Sequence, residues 1–349
     1  MRPSRETGLH TIGSWEGTNA GHSGGAVSDV GCPKGLSAFY FPFGGGSFEK
    51  RKGKIPMKNR FLCLLIAFLL LSLPACAEGV TVTDMTGREV RLDAPATRVV
   101  ALTAADCEIL FAIGAGETLV GRGEYCDYPP EVLNVPSVES GFETNVEQII
   151  ALNPQVVFMN TMSQPLETLN ALENAGIRVI ESVANDLEGV YRAIEMIGEA
   201  VGRDEAARAL VLQMESSLSA LTEGAPGKGR SVYFEVSPLQ WGLWTAGEGT
   251  FMDEIAQMLG LVNCFKDVTG WAEISQEQVI ARNPDYIVTL TMASGEGPSP
   301  AEEIMSRAGW ENVTAVKNGA ILNLVNDELS RPSPRLVEGA SALAEFITK

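Results

Sequence analysis

Apolar residues from position 80 onward follow two spacings that alternate along the chain. Runs rich in β-branched and aliphatic residues, typical of strands, occur at 98–102, 155–159, 178–180, 231–236, 286–290 and 320–325. Apolar residues spaced three and four apart predict helices near 105–113, 145–152, 165–175, 251–259, 275–282, 300–308 and 334–348. A hairpin, 80–83 and 89–92, precedes them. Strands that alternate with helices predict an α/β fold with mostly parallel sheets.

An internal duplication divides this pattern into two halves. The segment 145–154 (NVEQIIALNP) returns at 275–284 (SQEQVIARNP), and each copy leads into an apolar strand. A second repeat pairs Glu108-Ile109 and Gly114 with Glu254-Ile255 and Gly260. Because the two repeats occur in the same order, they predict two equivalent lobes, 80–186 and 230–349.

The longest helical pattern, 186–222, separates the two lobes. It is interrupted near Gly202, and Asp204 is expected to N-cap its second half. The stretch 205–221 would be about 25 Å long at 1.5 Å per residue. A helical connector over 187–223 predicts lobes joined by one long rigid helix, with only a small closure around a ligand.

A strongly apolar run, 61–73, lies before the first lobe. It has 13 residues, fewer than the roughly 20 that a membrane-spanning helix needs. Met57, Lys58 and Arg60 precede it, and small residues follow it, so 57–77 is interpreted as a signal peptide. The protein is therefore expected to be exported, either to the periplasm or to the cell surface.

Two cleavage sites compete at the end of this segment. Cleavage after Ala77 would release a soluble protein, whereas residues 73–76 (LPAC) resemble a bacterial lipobox, which would make Cys76 a lipid anchor. Residues 1–56 are rich in Gly and Ser and have no periodic apolar pattern. They are interpreted as a non-globular extension or as a misassigned start, with translation beginning at Met57.

The net charge of the chain limits the kinds of molecule that it is expected to bind. The 349 residues include 26 Lys+Arg and 44 Asp+Glu, a formal net charge of −18. Nine of these bases and four of these acids lie in 1–77, so the remainder of the chain is still more acidic. Such a body is not expected to bind nucleic acid, or to dock on anionic lipid by its overall field.

The positions of the two histidines limit the catalytic and metal sites that the body of the chain can contain. Both histidines, His10 and His22, precede residue 78, which excludes histidine-dependent triads, HExxH sites and imidazole-ligated zinc or manganese sites in the body. No catalytic residue and no protein metal site is predicted. A secreted α/β enzyme that uses carboxylates such as Glu108, Glu124 or Asp327 remains the alternative.

Cysteine leaves the pairing open. Cys107, Cys126 and Cys264 remain after either cleavage, and this odd number allows at most one disulfide among them.

The ligand site is expected in the cleft between the lobes, because open α/β sheets bind ligands beyond the carboxyl ends of their strands. Aromatic rings on both sides suit a large, flat, partly apolar ligand. The predicted ligand-binding aromatics are Tyr125, Tyr128, Phe142, Trp241, Trp244 and Trp271. The alternative is that each tryptophan is an ordinary core residue, which is favoured for Trp310.

Polar residues are also expected at the cleft. Asp327 and Arg331 belong to a cluster in the Pro-containing segment 327–335, between a strand and the last helix. They are predicted to contact the ligand; the alternative is helix capping with a surface ion pair.

Glu147 and Glu277 occupy equivalent positions in the duplicated helices. If Asn145 and Ser275 are N-caps, glutamines three residues later complete two capping boxes and leave both glutamates free to point outward. Symmetric carboxylates suit docking to a two-fold partner with basic residues. The alternative is a helix-dipole contact of about 0.3–1 kcal/mol.

These motifs resemble the substrate-binding proteins of ABC importers for iron–siderophore, haem and cobalamin complexes. The resemblance covers about 80–349, and its marks are Glu147-Gln-Ile-Ile-Ala-Leu-Asn-Pro, Gly247-x-Gly-Thr-Phe and Glu277-Gln-Val-Ile-Ala-Arg-Asn-Pro. It implies two Rossmann-like lobes joined by a rigid helix. It also implies that Glu147 and Glu277 dock onto a permease dimer, which works with a separate ATPase.

Within the family, the residues resemble most the vitamin B12-binding branch. Tyr125-Cys-Asp-Tyr-Pro-Pro is similar to its ligand loop, Trp271 matches an aromatic that lines the corrinoid pocket, and Asp327 matches a ligand-contacting aspartate. Gly141, next to Phe142, departs from the branch, which has a tryptophan there.

The resemblance leaves the ligand open. It implies a small-molecule metal complex that carries its own chelated metal, so no cofactor is expected. Ferric siderophores remain possible, and haem would need a ligand such as Tyr125 or Tyr128. A zinc or manganese receptor would need the histidines that the body lacks.

Overall fold

A computed structural model of the chain describes residues 79–141, 143–160, 164–290, 298–325 and 327–349. These residues belong to one compact unit, Pro74–Lys349. The predicted extension 1–56, the signal peptide 57–77 and the residues Cys76 and Phe142 lie outside the described residues. None of the helices within these ranges is long and apolar enough to cross a membrane.

The first lobe begins with the predicted hairpin and continues as a parallel sheet. Its strands are β1 (Val80–Thr83), β2 (Glu89–Leu92), β3 (Val99–Ala101), β4 (Leu119–Gly123), β5 (Ser137–Val138), β6 (Val156–Met159) and β7 (Arg178–Glu181). Its helices are α1 (Ala104–Ala112), α2 (Val146–Ala151) and α3 (Leu166–Asn174). β1 and β2 pair antiparallel, and the other strands form a parallel sheet in the order β5-β4-β3-β6-β7.

The connector is helical, as predicted, but it is two helices and not one. α4 (Leu187–Val201) ends at Gly202, which is left-handed (φ 68°), and α5 (Asp204–Leu221) follows. The two helices pack closely, because a Cβ on Gly198 would lie 2.5 Å from Cβ of Ala207. The predicted N-cap at Asp204 is wrong. Arg203 holds that position without a side-chain cap, and Asp204 is the first helical residue, where a carboxylate still favours the helix dipole.

The second lobe contains a mixed sheet. Its strands are β8 (Ser231–Ser237), β9 (Leu243–Ala246), β10 (Val262–Asn263), β11 (Trp271–Ile274), β12 (Tyr286–Leu290) and β13 (Ile321–Leu324). Its helices are α6 (Phe251–Met258), α7 (Gln276–Arg282), α8 (Pro300–Ser306), α9 (Thr314–Lys317) and α10 (Leu336–Thr348). The order is β11-β9-β8-β12-β13, with β10 beside β8. β9 is antiparallel to both neighbours, so the mostly parallel prediction holds for the centre of this sheet and not for its β9–β11 edge.

Alternate residues of the strands face different cores. Val99 and Ala101 of β3 join a central core that also includes buried residues of β8, α4, α5 and α10. Val100 joins an outer core of the first lobe, and Tyr233 joins an outer core of the second. The central core therefore runs through both lobes and the connector.

The duplication appears in the backbone as well as in the sequence. α2 and α7 each lie against the outer core of their lobe, through Ile149 and Val279 respectively. Each helix is followed by an asparagine in the left-handed conformation, Asn153 (φ 49°) and Asn283 (φ 47°). The repeated sequence thus builds the same helix-and-turn unit twice.

Candidate ligand-binding cleft

A cavity of about 610 Å³ lies between the two lobes. It is bordered by the carboxyl ends of β4, β8, β12 and β13, where the ligand site was predicted. Its lining residues are Glu124, Tyr125, Asp127, Val236, Met252, Trp271, Leu290, Asp327, Ser330 and Arg331.

Aromatic rings border the cavity from both lobes. Tyr125 of the first lobe is 71% exposed, so its ring is available to a ligand. Trp271 begins β11 and packs against Phe251, with the two ring centroids 5.3 Å apart. This packing holds the indole ring in a defined orientation at the cavity wall.

Arg331 joins the lobes at the cavity. Its Nη1 atom donates to Glu108 Oε1 at 2.9 Å and to Asp127 Oδ1 at 2.6 Å, both in the first lobe. Its Nη2 atom donates to Asp327 Oδ2 at 2.7 Å, within the second lobe. Burial alone would lower the pKa of Arg331, but the hydrogen bonds to Asp127 and Glu108 raise it above its ordinary value. The guanidinium group is therefore charged, and both of its Nη atoms donate to carboxylates.

Glu108 is the buried partner in this cluster. In addition to Arg331, it accepts a hydrogen bond from Ser333 Oγ at 2.5 Å, and Arg335 Nη1 lies 3.5 Å from its Oε1 atom. Burial raises the pKa of Glu108 above its ordinary value, although the hydrogen bonds from Ser333 and Arg331 oppose this change. Its ion pairs link α1 to the segment that precedes α10.

The cavity wall is acidic. Glu124, Asp127 and Asp327 line it, and among the described lining residues Arg331 is the only basic one. Because Arg331 is already paired with two of these acids and with Glu108, its charge is balanced within the wall, and the remaining charged groups among the described lining residues are carboxylates, which act as acceptors. Such a wall favours a ligand that donates hydrogen bonds and carries no negative charge.

Four of the predicted ligand residues meet at this cavity: Tyr125, Trp271, Asp327 and Arg331. Trp241 and Trp244 are 59% and 39% exposed, and the described residues that line the cavity do not include them. Trp244 lies opposite Glu273 on β11, two residues from Trp271.

Tyr128 lies elsewhere. Its ring stacks beneath the guanidinium of Arg335, at 4.0 Å from the centroid. It lines a second cavity, of about 650 Å³, together with residues of α1, α5 and α10. Trp310 is fully buried and donates from Nε1 to Gln276 at 3.2 Å, as expected of a core residue.

The sequence patterns singled out only part of the lining. Asp127 lies in the tyrosine-containing loop, and Val236 and Leu290 lie at strand ends where the cleft was expected. The sequence suggests Glu108 as a catalytic acid in the enzyme alternative, and the second repeat pairs it with Glu254. Glu254 accepts a hydrogen bond from the backbone N–H of Leu187 at 2.7 Å, so both repeated glutamates link separate parts of the fold.

Glu147 and Glu277 are exposed at the second positions of α2 and α7, and within the described part of the chain neither forms an ion pair. The predicted capping box of Ser275 is present, and hydrogen bonding to Ser275 lowers the pKa of Glu277. Asn145 is the N-cap of α2, as predicted, and its side chain accepts from the backbone N–H of Gln148. The capping box predicted there is wrong, because Gln148 Oε1 accepts from the backbone N–H of Glu139 at 3.1 Å.

No group of three or more His, Cys, Asp or Glu side chains in the described ranges is arranged to hold a metal ion. The acids at the cavity lie beside Arg331, which is a poor setting for a cation.

The chain resembles known proteins over most of the described residues. Residues 99–327 match the periplasmic binding protein family. The uncharacterized ABC transporter substrate-binding lipoprotein YvrC of Bacillus subtilis is 34% identical over 275 residues, which cover 77% of this chain and 85% of the relative.

Two solved structures share the fold. A possible iron-binding (periplasmic solute-binding) protein from Staphylococcus epidermidis is 30% identical with a TM-score of 0.62, covering 73% of this chain and 100% of the other. The periplasmic vitamin B12 binding protein of Vibrio cholerae is 25% identical with a TM-score of 0.60, covering 72% and 97% respectively. These matches confirm the two-lobed α/β fold and the resemblance seen in the sequence. The chain therefore belongs to the periplasmic binding protein family.

Proposed function

We propose that the protein is the extracytoplasmic substrate-binding component of an ABC importer, and that its ligand is a corrinoid such as cobalamin. The observation that carries the choice of ligand is the acidic cleft with aromatic residues from both lobes, in which Arg331 is already neutralised by its partners. The protein captures its ligand and releases it unchanged.

The chemistry of a corrinoid matches this cleft. The corrin ring is flat and broad, so Tyr125 and Trp271 can pack against it from the two lobes. Its rim carries primary amides, whose N–H groups donate to carboxylates such as Glu124, Asp127 and Asp327. The cobalt arrives chelated by the corrin, so the protein needs no resident metal or other cofactor.

The same wall disfavours anionic ligands. Haem carries two propionates and catecholate siderophores carry excess negative charge, and either would place that charge beside the carboxylates of the cavity. A ferric hydroxamate carries no excess negative charge, so it is the second candidate. The likeness to a possible iron-binding protein from Staphylococcus epidermidis supports keeping it.

The geometry does not favour the carboxylate enzyme. Glu108 and Asp327, two of the acids considered for catalysis, both accept hydrogen bonds from Arg331. A general base needs a free acceptor aimed at its substrate. The third acid, Glu124, is exposed at the rim of the cavity and suits ligand contact.

Delivery would use the surface that carries Glu147 and Glu277. Two carboxylates on repeated helices match a permease dimer that presents one basic site from each subunit. The permease and its ATPase are separate chains in this proposal.

Membrane attachment would come from the N-terminus alone. Cys76 is the candidate lipid anchor, and the lipoprotein named in Bacillus subtilis supports this choice over cleavage after Ala77.

Tryptophan fluorescence tests the ligand class. We expect cyanocobalamin to quench the fluorescence of the purified protein with 1:1 stoichiometry. The bound corrin would lie close to Trp271 and would absorb the light that the indole emits. Haem, a flat metal macrocycle that also absorbs light but carries two carboxylates, is the anionic control and should bind far more weakly. The proposed ligand class is wrong if haem saturates the signal at lower concentration, and the binding role itself is wrong if cyanocobalamin, ferric hydroxamates and haem all leave the signal and the melting temperature unchanged.

A further inference from the structure

Two buried thiols meet behind the first-lobe wall of the cleft. Cys107 lies in the first turn of α1, and Cys126 lies between Tyr125 and Asp127 in the loop that follows β4. Both side chains are inaccessible to solvent. Their sulfur atoms lie 3.8 Å and 3.9 Å from the same acceptor, the carbonyl oxygen of Ala101. The shared acceptor places both sulfur atoms in one small cluster, and a hydrogen bond between the two thiols makes them direct neighbours.

The electrostatics agree with this proximity. A hydrogen bond with the Cys126 thiol, together with burial, raises the pKa of the Cys107 thiol well above its ordinary value. Cys264 follows β10 and packs against the outer core of the second lobe, away from this pair. The local structure therefore selects one pairing out of the three that the sequence allows.

We propose that Cys107 and Cys126 form a disulfide bond in the exported protein, and that this bond fixes the ligand loop to α1. The proposal rests on the export that is part of the proposed function, because disulfides persist in oxidising compartments. The bond would close a loop of about 20 residues, which restricts the unfolded chain and stabilises the folded one.

The oxidant would be a disulfide, either of a thiol–disulfide oxidoreductase or of a small molecule such as glutathione disulfide. The thiolate of one cysteine attacks an oxidant sulfur and releases one reduced thiol, leaving a mixed disulfide. The thiolate of the second cysteine then attacks the sulfur of the first and releases the second reduced thiol. Two protons and two electrons leave the protein in total. Since both thiols are buried in the folded chain, this exchange takes place during folding.

The disulfide bond would influence the cleft because both cysteines are next to residues of its wall. Cys126 is flanked by Tyr125 and Asp127, which line the cavity, and Cys107 precedes Glu108, which pairs with Arg331. A covalent link between the two cysteines would fix the position of Tyr125 and Asp127 relative to the ion pair between Glu108 and Arg331. Preorganisation of this kind improves affinity by lowering the ordering cost of binding.

Mass spectrometry of the full exported chain tests the bond. The protein is isolated without reductant, trapped with N-ethylmaleimide while it denatures, and digested. We expect a cross-linked peptide that contains Cys107 and Cys126, with Cys264 alkylated. Prior reduction should add two further alkylations. Cys264→Ser is the control variant, and it should keep the cross-link.

Alkylation of both Cys107 and Cys126, in the exported protein and again after refolding with glutathione disulfide, would overturn the proposal. If the chain does not reach the extracytoplasmic compartment, the proposed function fails instead, so the two failures are distinct. Reduction of the wild-type protein should lower its melting temperature by several degrees and weaken ligand binding. Neither change should occur in Cys107→Ala/Cys126→Ala, and the same change in that variant would contradict the role of the bond.

Discussion

Arg331 and Glu108 form an ion pair that crosses from one lobe to the other, with Nη1 of Arg331 2.9 Å from Oε1 of Glu108. The two residues are 223 positions apart in the chain, and their side chains are only 14% and 2% exposed. Removing one partner from a buried pair leaves the other charge uncompensated, which costs more than the pair itself contributes.

Arg331→Met should therefore lower the free energy of unfolding by about 3 kcal/mol, because the Glu108 carboxylate would keep only the hydrogen bond from Ser333 and the longer ion pair with Arg335. Urea unfolding measures this change. The control is Arg91→Met, whose partner is Glu89 and whose side chain is 79% exposed; it should cost about 0.5 kcal/mol or less. Equal losses in the two variants would show that the contact between the lobes is not the source of the stability.

Asp106 predicts a pH dependence of stability. It is 1% exposed and accepts hydrogen bonds from Thr103 Oγ1 and Ser182 Oγ, each at 2.6 Å. Burial raises its pKa from 3.8 to about 6. Between these values the folded state binds the proton more tightly than the unfolded state, so stability falls as the pH rises from 4 to 6 and then levels off.

Asp106→Asn removes this titration and preserves the shape of the side chain. The stability of the variant relative to the wild type should increase by about 2.5 kcal/mol between pH 4 and pH 7, because each pKa unit corresponds to about 1.4 kcal/mol and the unfolded chain is already partly ionised at pH 4. Urea unfolding of both proteins across this range gives the comparison. Taking the difference cancels the other carboxylates, and a difference that does not change with pH would contradict the prediction.

The tryptophans of the second lobe should contribute to affinity in a defined order. Trp271 lines the cavity, Trp244 lies two residues along the adjacent strand pair, and Trp241 is 59% exposed. Isothermal titration with cyanocobalamin should show at least a tenfold loss for Trp271→Ala, about 1.4 kcal/mol or more, with a smaller loss for Trp244→Ala and the smallest for Trp241→Ala.

Trp271→Phe is the control for this series, because it keeps a ring against Phe251 and should retain most of the affinity. A larger loss in Trp241→Ala than in Trp271→Ala would place the ligand outside the cavity that Trp271 lines.

Glu147 and Glu277 should matter for transport and not for capture. Glu147→Lys/Glu277→Lys is expected to abolish ligand uptake by the cognate importer while the dissociation constant changes less than about twofold, because both side chains lie outside the cavity. The charge-matched control is Glu205→Lys/Glu215→Lys, on the exposed side of α5. Loss of ligand affinity in the first variant, or equal loss of uptake in the second, would argue against a specific docking role.

Elements with strong local signals were predictable from the sequence. The hairpin lies at Val80–Thr83 and Glu89–Leu92, as predicted, because β-branched residues flank a turn in which Gly87 adopts a positive φ of 87°. The duplicated helices were predictable because their caps and apolar positions repeat. Strand β4 was not predictable from the sequence, because it contains Gly121 and Gly123 where β-branched residues would be typical.

Tertiary packing explains those glycines. A Cβ at Gly123 would lie 2.4 Å from the carbonyl oxygen of Leu102, and one at Gly121 would lie 2.4 Å from the side chain of Leu152. Neighbouring elements approach so closely that no side chain fits at these two positions. Strand propensity is a local property, so it does not predict this packing.

The sequence predicted which loops line the cleft, but not which side chains pair with one another there. The tyrosine-containing loop and the segment from Asp327 were placed at the cleft, and both line it. The sequence predicts Arg331 as a ligand contact, and the structure shows it also pairing with Glu108 across the lobes. The sequence predicts the same role for Tyr128 as for Tyr125, yet Tyr128 stacks on Arg335 and lines the second cavity. Such pairings depend on how the two lobes meet, which no local pattern encodes.

Native mass spectrometry of the protein in an equimolar mixture of cyanocobalamin, haem and a ferric hydroxamate tests the central claim most directly, because the mass of the complex identifies the ligand. The acidic cleft with its paired Arg331 predicts that a 1:1 complex with cyanocobalamin predominates. A predominant complex with haem or with the hydroxamate, or no complex at all, would contradict the claim.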